Sequence, residues 1–101
     1  LANRPYPDAI FAMHDLGALG ALSVLRESGL ATPDDVAVVG YYDTPLAAAE
    51  GLSSVGTELR YMGRRSLELL LDRLAGQETE SETVPVKLII RQSSGGPRPT
   101  G

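Results

Sequence analysis

Residues 7–44 read PDAIFAMHDLGALGALSVLRESGLATPDDVAVVGYYDT, and their pattern predicts a strand, a helix and a second strand. An apolar segment at residues 9–13 ends in His14 and Asp15, and another at residues 36–39 ends in a polar cluster at residues 41–44. Between them, helical spacing of apolar residues continues to Gly29, a typical helix stop. Ligands bind at the carboxyl ends of strands in open α/β sheets. We therefore expect both polar clusters at a ligand-binding edge.

The composition excludes several classes of protein. The 101 residues suit one domain, and the net charge of -4 gives no attraction to nucleic acid or to an anionic membrane. No apolar run approaches the roughly 20 residues of a membrane-spanning helix. Without cysteine there are no disulfides and no thiolate metal sites. We expect a cytoplasmic protein with no metal or cofactor.

The remaining elements follow from the same reading of apolar periodicity. A short helical turn, an extended segment and an edge strand that begins with Pro85 are expected after the first unit. The predicted strands are residues 8–13, 36–40 and 83–91, the predicted long helices are residues 16–28 and 58–75, the short turn is residues 45–51, and the extended segment is residues 52–55.

Two expectations concern the ends of elements. Asp15 and Thr57 are the predicted N-caps of the two long helices, because their side chains can accept from free amides of the first turn. Residues 93–101 are rich in Gly, Pro and Ser and are predicted to form a disordered tail, which leaves residues 1–92 as the packed part.

The first long helix is apolar on most of its circumference, so we expect it to be buried on two sides. One side would face the sheet, and the other would face missing chain or a second subunit. The uninterrupted β-branched run at residues 36–39 predicts a strand buried on both faces. Since three strands and two helices cannot cover both faces of such a sheet, we expect the chain to be a segment of a longer protein.

Four pieces of the chain, in this order, resemble the lactose-repressor/galactose-repressor (LacI/GalR) family of transcription regulators. They are PDAIFA with HDLGALGAL, then VAVVGYYDTPL, then LSSV with MGRR and LLL, and finally LIIRQS. Together they span nearly the whole chain.

The resemblance implies an α/β fold that is part of a periplasmic-binding-protein-like core with two lobes and a ligand cleft. Residues 1–92 would be the C-terminal portion of this effector-binding and dimerisation core. Residues 53–57 would cross between lobes, and the last strand would lead back. Operator DNA would be bound only through a helix-turn-helix preceding Leu1.

The resemblance also implies four effector-binding residues. His14 stands where the family usually has Asn, Tyr42 and Asp43 stand where it commonly has Asp-Asp or Asp-Asn, and Thr57 lies near a cleft position that is often Gln. The partner would be a sugar, a nucleoside or a related metabolite. The changes at His14 and Tyr42 favour an aromatic or charged effector over a simple pentose or hexose.

The first helix matches the family helix that packs against its counterpart in the homodimer. This likeness predicts interface contacts from Leu16, Leu19 and Leu22. Burial in the chain's own core is the alternative for Leu19 and Leu22.

For several other residues the sequence leaves more than one role open. His14 could bind effector or bond nearby backbone, and Asp43 could bind a hydroxyl or cation or order its own turn. Asp15 is expected to cap the helix and not to bind ligand. Strand alternation allows only one of Tyr41 and Tyr42 to face the cleft, and we favour Tyr42.

Three functions compete. The favoured one is the effector-binding segment of a transcriptional repressor, and the first alternative is a solute-binding protein of a transporter. An enzyme or phosphoacceptor with His14, Asp15 and Asp43 is the third and has little support. The glycine pair Gly17 and Gly20 lies inside a helix without a following Lys-Ser/Thr, which excludes a phosphate loop.

Overall fold

A computed structural model describes residues 5–97 of the chain. Strands and helices alternate along this range, as the sequence predicts for an α/β fold. The elements are β1 Ala9–Phe11, α1 Asp15–Glu27, β2 Ala37–Tyr41, α2 Pro45–Ala49, β3 Ser53–Thr57, α3 Leu59–Leu74, β4 Val86–Ile89 and a 3₁₀ turn Gln92–Ser94. Within residues 5–97, no helix is both long and apolar enough to cross a lipid bilayer.

The strands form one sheet in the order β1-β2-β3-β4. β1 and β2 are parallel, with Phe11 opposite Val39, and β2 and β3 are parallel, with Val39 opposite Ser53. The expected extended segment is thus a paired strand, and the described part of the sheet has four strands instead of three. The edge position expected for the last strand is confirmed, and Pro85 directly precedes β4.

The core lies between one face of the sheet and the helices α1 and α2. β2 alternates regularly, with Val38 and Gly40 buried and its other residues half-buried. The buried apolar residues are Ala18, Leu22, Leu25, Val36, Val38, Ala47 and Leu52. The prediction that β2 is buried on both faces is therefore wrong for this chain, because α1 and α2 pack on the same face, and Phe11 in the neighbouring strand is 68% exposed.

Both predicted helix caps are wrong. His14, not Asp15, is the N-cap of α1, and its Nδ1 accepts from the amide of Gly17 at 3.0 Å. Glu58 occupies the N-cap position of α3 without a side-chain hydrogen bond. The Thr57 hydroxyl instead donates to the carbonyl of Pro85 at 3.1 Å.

The chain divides into two compact units, one up to Gly56 and from Lys87 onward, and the other comprising residues 57–86. The first boundary falls inside β3, in the segment where the resemblance implied a crossing. The second unit contains α3, in which no residue is buried. Tyr61 and Arg65, one helical turn apart, both donate to the Glu82 carboxylate and fix the loop that follows the helix.

The ordered structure extends past the predicted boundary at residue 92. Ser93 is buried, and its hydroxyl donates to the carbonyl of Val38 at 2.6 Å and accepts from the amide of Ser53 at 2.8 Å. The Ser94 hydroxyl bonds that of Ser53. The predicted disordered tail is therefore wrong for its first residues, because they satisfy polar groups of the sheet. Residues 98–101 lie outside the described residues.

Candidate ligand-binding edge of the sheet

Parallel pairing brings the two polar clusters to the same edge of the sheet. β1 ends at Phe11 and β2 ends at Tyr41, and the amide of Ala12 continues the pairing by donating to Val39 at 2.8 Å. His14 and Tyr42 therefore follow neighbouring strand ends, and both are exposed. Side chains that a ligand could reach thus lie where an open α/β sheet binds ligands.

A buried carboxylate joins these two strand ends. Asp15 Oδ2 accepts from both the amide and the hydroxyl of Thr44, each at 2.7 Å. Asp15 Oδ1 accepts from the Ser54 hydroxyl at 2.7 Å, and Ser54 Oγ in turn accepts from the amide of Asp43 at 2.9 Å. Asp15 is thus neither a helix cap nor an exposed ligand contact. It ties the residue after His14 to the turn after Tyr42.

The network sets the charge state of Asp15. Burial alone raises the pKa of the carboxyl, but the hydrogen bonds from Thr44 and Ser54, together with the positive charge of Arg91, outweigh it. The pKa of Asp15 therefore lies below its ordinary value of 3.8. The carboxylate stays ionised at neutral pH, which suits its role as an acceptor of three hydrogen bonds.

The turn after β2 has an unusual backbone. Tyr42 and Asp43 have φ angles of 92° and 47°, in the left-handed region that side chains other than glycine rarely adopt. Hydrogen bonds from the amide of Tyr42 to Val55 at 2.8 Å and from the amide of Asp43 to Ser54 hold this conformation. Strain that surrounding contacts maintain clusters at functional sites.

Asp43 is engaged by a residue far along the sequence. Its Oδ1 accepts from Arg91 Nη2 at 2.8 Å, and Arg91 Nη1 donates to the carbonyl of Leu52 at 2.8 Å. The Asp43 carboxylate is thus engaged by Arg91, and its proposed contact with an effector stays a prediction. Sequence reasoning placed Arg91 in the closing strand and gave it no role, because nothing in the local pattern marks a partner 48 positions away.

Aromatic rings accompany the strand ends. Tyr41 and Tyr42 pack edge to face, with ring centroids 5.0 Å apart, and Phe11 lies 6.4 Å from Tyr41. Tyr41 is half-buried, whereas Tyr42 is 44% exposed. Tyr42 is thus the more accessible of the two rings, and Tyr41 supports it from the side.

His14 combines a backbone role with an exposed ring. Since its Nδ1 accepts the Gly17 amide proton, the neutral ring carries its hydrogen on Nε2. No hydrogen bond to Nε2 occurs among residues 5–97. The backbone-bonding alternative is thus what the structure shows for Nδ1, and Nε2 remains as a donor at the edge.

The four predicted effector residues are divided between the two compact units. His14, Tyr42 and Asp43 belong to one compact unit, and Thr57 begins the other. Within its own unit Thr57 bonds Pro85 and also contacts Met62 Sδ at 3.8 Å. The effector role of Thr57 stays a prediction.

The three predicted interface leucines differ in burial. Leu22 is only 8% exposed and belongs to the core, so its burial within the chain is the reading that holds. Leu19 is half-buried against this core. Leu16 is 70% exposed and is the one fully available for another surface.

No metal centre is formed by the described part of the chain. Among residues 5–97 there is no group of three His, Asp or Glu side chains that could hold a metal ion. The polar groups at the edge instead hydrogen-bond one another.

A family model and a curated relative both match most of this chain. The family model of the periplasmic binding protein-like domain matches residues 1–94. The transcriptional regulator CelR of Thermobifida fusca is 46% identical over 92 residues, which cover 89% of this chain and 26% of CelR. The chain thus spans about a quarter of the length of this curated relative.

Solved structures agree. A complex of CelR with cellobiose has a TM-score of 0.78 at 42% identity and covers 89% of this chain and 29% of that one. A lac repressor dimer bound to operator and the anti-inducer ONPF has a TM-score of 0.76 at 33% identity, over 87% of this chain and 32% of the other.

Proposed function

Because this chain belongs to the periplasmic-binding-protein-like family of LacI/GalR transcription regulators, we propose that it is the effector-binding and dimerisation segment of such a regulator. In this role it couples binding of a small molecule to the affinity of the whole protein for operator DNA. Its relatives are regulators and not enzymes, and the proposal assigns the chain no catalytic step. The proposal also places the protein in the cytoplasm, where its operator lies.

One observation carries the proposal. His14 and Tyr42, at the ends of two neighbouring parallel strands, are exposed at one edge, and the Asp15 carboxylate holds the two strand ends together. A ligand that contacts both tips would stabilise one arrangement of the surrounding protein. Such a ligand shifts the equilibrium between two states only by its difference in affinity for them.

The proposed effector is a saccharide or a related metabolite with a flat face. The Tyr42 ring offers an apolar surface for a sugar ring or an aromatic group, and His14 Nε2 offers a donor to a hydroxyl oxygen. The carboxylate of Asp43 is shared with Arg91 and is less available for a polyol. CelR in complex with cellobiose makes this disaccharide the first compound to test.

The proposed assembly is a homodimer that contacts DNA through a region outside this chain. The lac repressor was solved as a dimer on its operator, which supports this arrangement. The alternative of a transporter's solute-binding protein is not favoured, because the similar proteins are named as transcription regulators.

The test uses the intact gene product that contains this chain. Mobility shift on its own upstream DNA, with and without cellobiose, should show binding that the sugar changes. Tyr42→Ala should weaken the sugar response. Tyr61→Ala removes a ring of nearly equal exposure in the other unit (43%, against 44% for Tyr42) and should leave the response intact.

Absence of DNA binding in every ligand state would overturn the regulator proposal. DNA binding that responds to a different metabolite would keep the proposal and replace cellobiose as the effector. An equal loss of response in both tyrosine variants would remove Tyr42 from the effector site.

A further inference from the structure

Arg91 lies at a junction of three segments in the first compact unit. Its Nη2 donates to Asp43 in the strained turn, and its Nη1 donates to the carbonyl of Leu52, the residue before β3. Its own amide donates to the Ser53 hydroxyl at 2.7 Å. One side chain and its backbone thus hold the candidate edge, the start of β3 and the segment after β4 together.

This junction lies next to the two strands that connect the compact units. β3 leads from the first compact unit into residues 57–86, and β4 leads back out of them. Arg91 follows β4 by two residues, and Leu52 directly precedes β3. The guanidinium therefore contacts the beginning of one connecting strand while its backbone continues the other.

We propose that Arg91 is a positioning residue that couples the Tyr42–Asp43 turn to the two strands connecting the compact units. The inference rests on the proposed function, since it assigns a role to Arg91 in the same effector edge. Arg91 does not contact the effector. It acts through Asp43, whose left-handed backbone it stabilises.

Geometry and charge favour this role over simple surface pairing. The Asp43–Arg91 ion pair is partly buried, with both side chains mostly covered, and its N–O distance is 2.8 Å. The pair Arg64–Glu68 on α3 is longer, at 3.5 Å, and more exposed. Partly buried charge-assisted hydrogen bonds with two fixed acceptors orient a side chain, whereas exposed helix pairs contribute little.

The experiment compares Arg91→Met, Arg91→Lys and the control Arg64→Met in the intact gene product that contains this chain. Both Met variants lose one positive charge and one ion pair, but only the first touches the proposed junction. Hydrogen exchange of the amides of Tyr42, Asp43 and Thr44 is measured without ligand. Arg91→Met should speed this exchange by about tenfold relative to the interior of α1, Arg91→Lys should speed it less, and Arg64→Met should leave it unchanged.

A double-mutant cycle identifies the path. If Arg91 acts through Asp43, adding Arg91→Met to Asp43→Asn should produce a much smaller further change in exchange at Thr44 than it produces alone. Exchange that rises uniformly over the unit would show a purely structural role and would overturn the proposal. Unchanged exchange at residues 42–44 would overturn it too.

A binding arm separates this inference from the proposed function. Calorimetry with cellobiose as the probe should give an affinity about tenfold weaker in Arg91→Met and unchanged in Arg64→Met. Unchanged affinity in Arg91→Met would overturn the coupling to the effector edge. If the wild-type protein binds no cellobiose, the effector assignment fails, and the exchange measurements still decide the role of Arg91.

Discussion

The Asp15 carboxylate accepts three hydrogen bonds from Thr44 and Ser54 and has almost no contact with solvent. A buried acceptor in this position stabilises the fold because it pairs every donor that faces it. A buried donor without a partner has given up its hydrogen bonds to water and gained none in return. The same residue fixes the spacing of the two strand ends that carry His14 and Tyr42. Stability and site geometry therefore depend on one group.

Replacing this carboxylate should be costly. In Asp15→Asn the amide group would face donors from Thr44 or Ser54, and at least one hydrogen bond would be lost. We expect the free energy of unfolding to fall by about 1–3 kcal/mol in urea titration. Asp34→Asn, an exposed change of the same kind, serves as the control and should have little effect.

The lowered pKa of Asp15 gives stability a defined pH dependence. Because the folded protein binds the proton less readily than the unfolded chain, the contribution of Asp15 is complete above 3.8 and is lost as the pH falls through the lower pKa of the folded state. From about pH 5 to about pH 3, the wild type should lose more stability than Asp15→Asn. Parallel curves for the two proteins would contradict the assignment.

Gly40 leaves room for the same carboxylate. A Cβ at this position would overlap Asp15 Oδ1 and lie 3.1 Å from Leu52 Cδ2. Gly40→Ala should lower stability by about 1–3 kcal/mol, measured by thermal or urea unfolding. Gly20→Ala is the matched control, because a Cβ there meets nothing within 4 Å and alanine favours the helix α1. The control should be neutral or stabilising.

The helix α1 begins with a histidine cap, which is less usual than the Asp expected from the sequence. The extended backbone of His14 lets Nδ1 reach the Gly17 amide, and the next residue turns its carboxylate toward Thr44 instead. Competition for Asp15 by a distant turn thus passes the capping role to its neighbour. The first turn of α1 is therefore capped by His14, and Asp15 remains free to accept from Thr44.

Substitutions at His14 should test its role as the N-cap of α1. His14→Ala should lower stability by about 1 kcal/mol because the first turn loses its acceptor. His14→Asp and His14→Asn should restore most of that loss in unfolding experiments. A stability equal to that of wild type in His14→Ala would show that the cap contributes nothing.

Several large apolar side chains of this chain are exposed. Apolar side chains remain uncovered on the sheet face that bears Phe11, on α1 at Leu16 and along α3. The matched part is only 26% of CelR, so additional chain is available in that relative to cover such faces. The exposed large apolar side chains on α3, apart from Tyr61, are Leu59, Met62, Leu67, Leu70, Leu71 and Leu74.

The proposed dimer makes a prediction about Leu16. In the intact gene product, Leu16→Glu should shift the equilibrium toward monomer in sedimentation velocity, because a charge would be buried in the interface. Gln77→Glu, which also adds a negative charge at an exposed position, is the control and should keep the assembly of the wild type. Equal behaviour of the two variants would remove Leu16 from the interface.

Local patterns in the sequence were enough to predict the alternation of strands and helices, the stops at Gly29 and Gly76, and the presence of polar groups after β1 and β2. Periodicity and turn chemistry act over a few residues, so a single chain reveals them. The four LacI/GalR-like pieces added the family. The local pattern predicted Asp15 as a helix cap, because a cap and an acceptor for distant donors look alike in sequence.

The contacts between distant segments came only from three-dimensional packing. Asp15 meets residues 29 and 39 positions away, and Asp43 meets Arg91 across 48 positions. No local pattern encodes such pairs, because they depend on how the sheet and the returning segment bring remote residues together. Burial of Leu22 and exposure of Leu16 on one apolar helix have the same origin, since the partner surface, not the residue type, sets which side is covered.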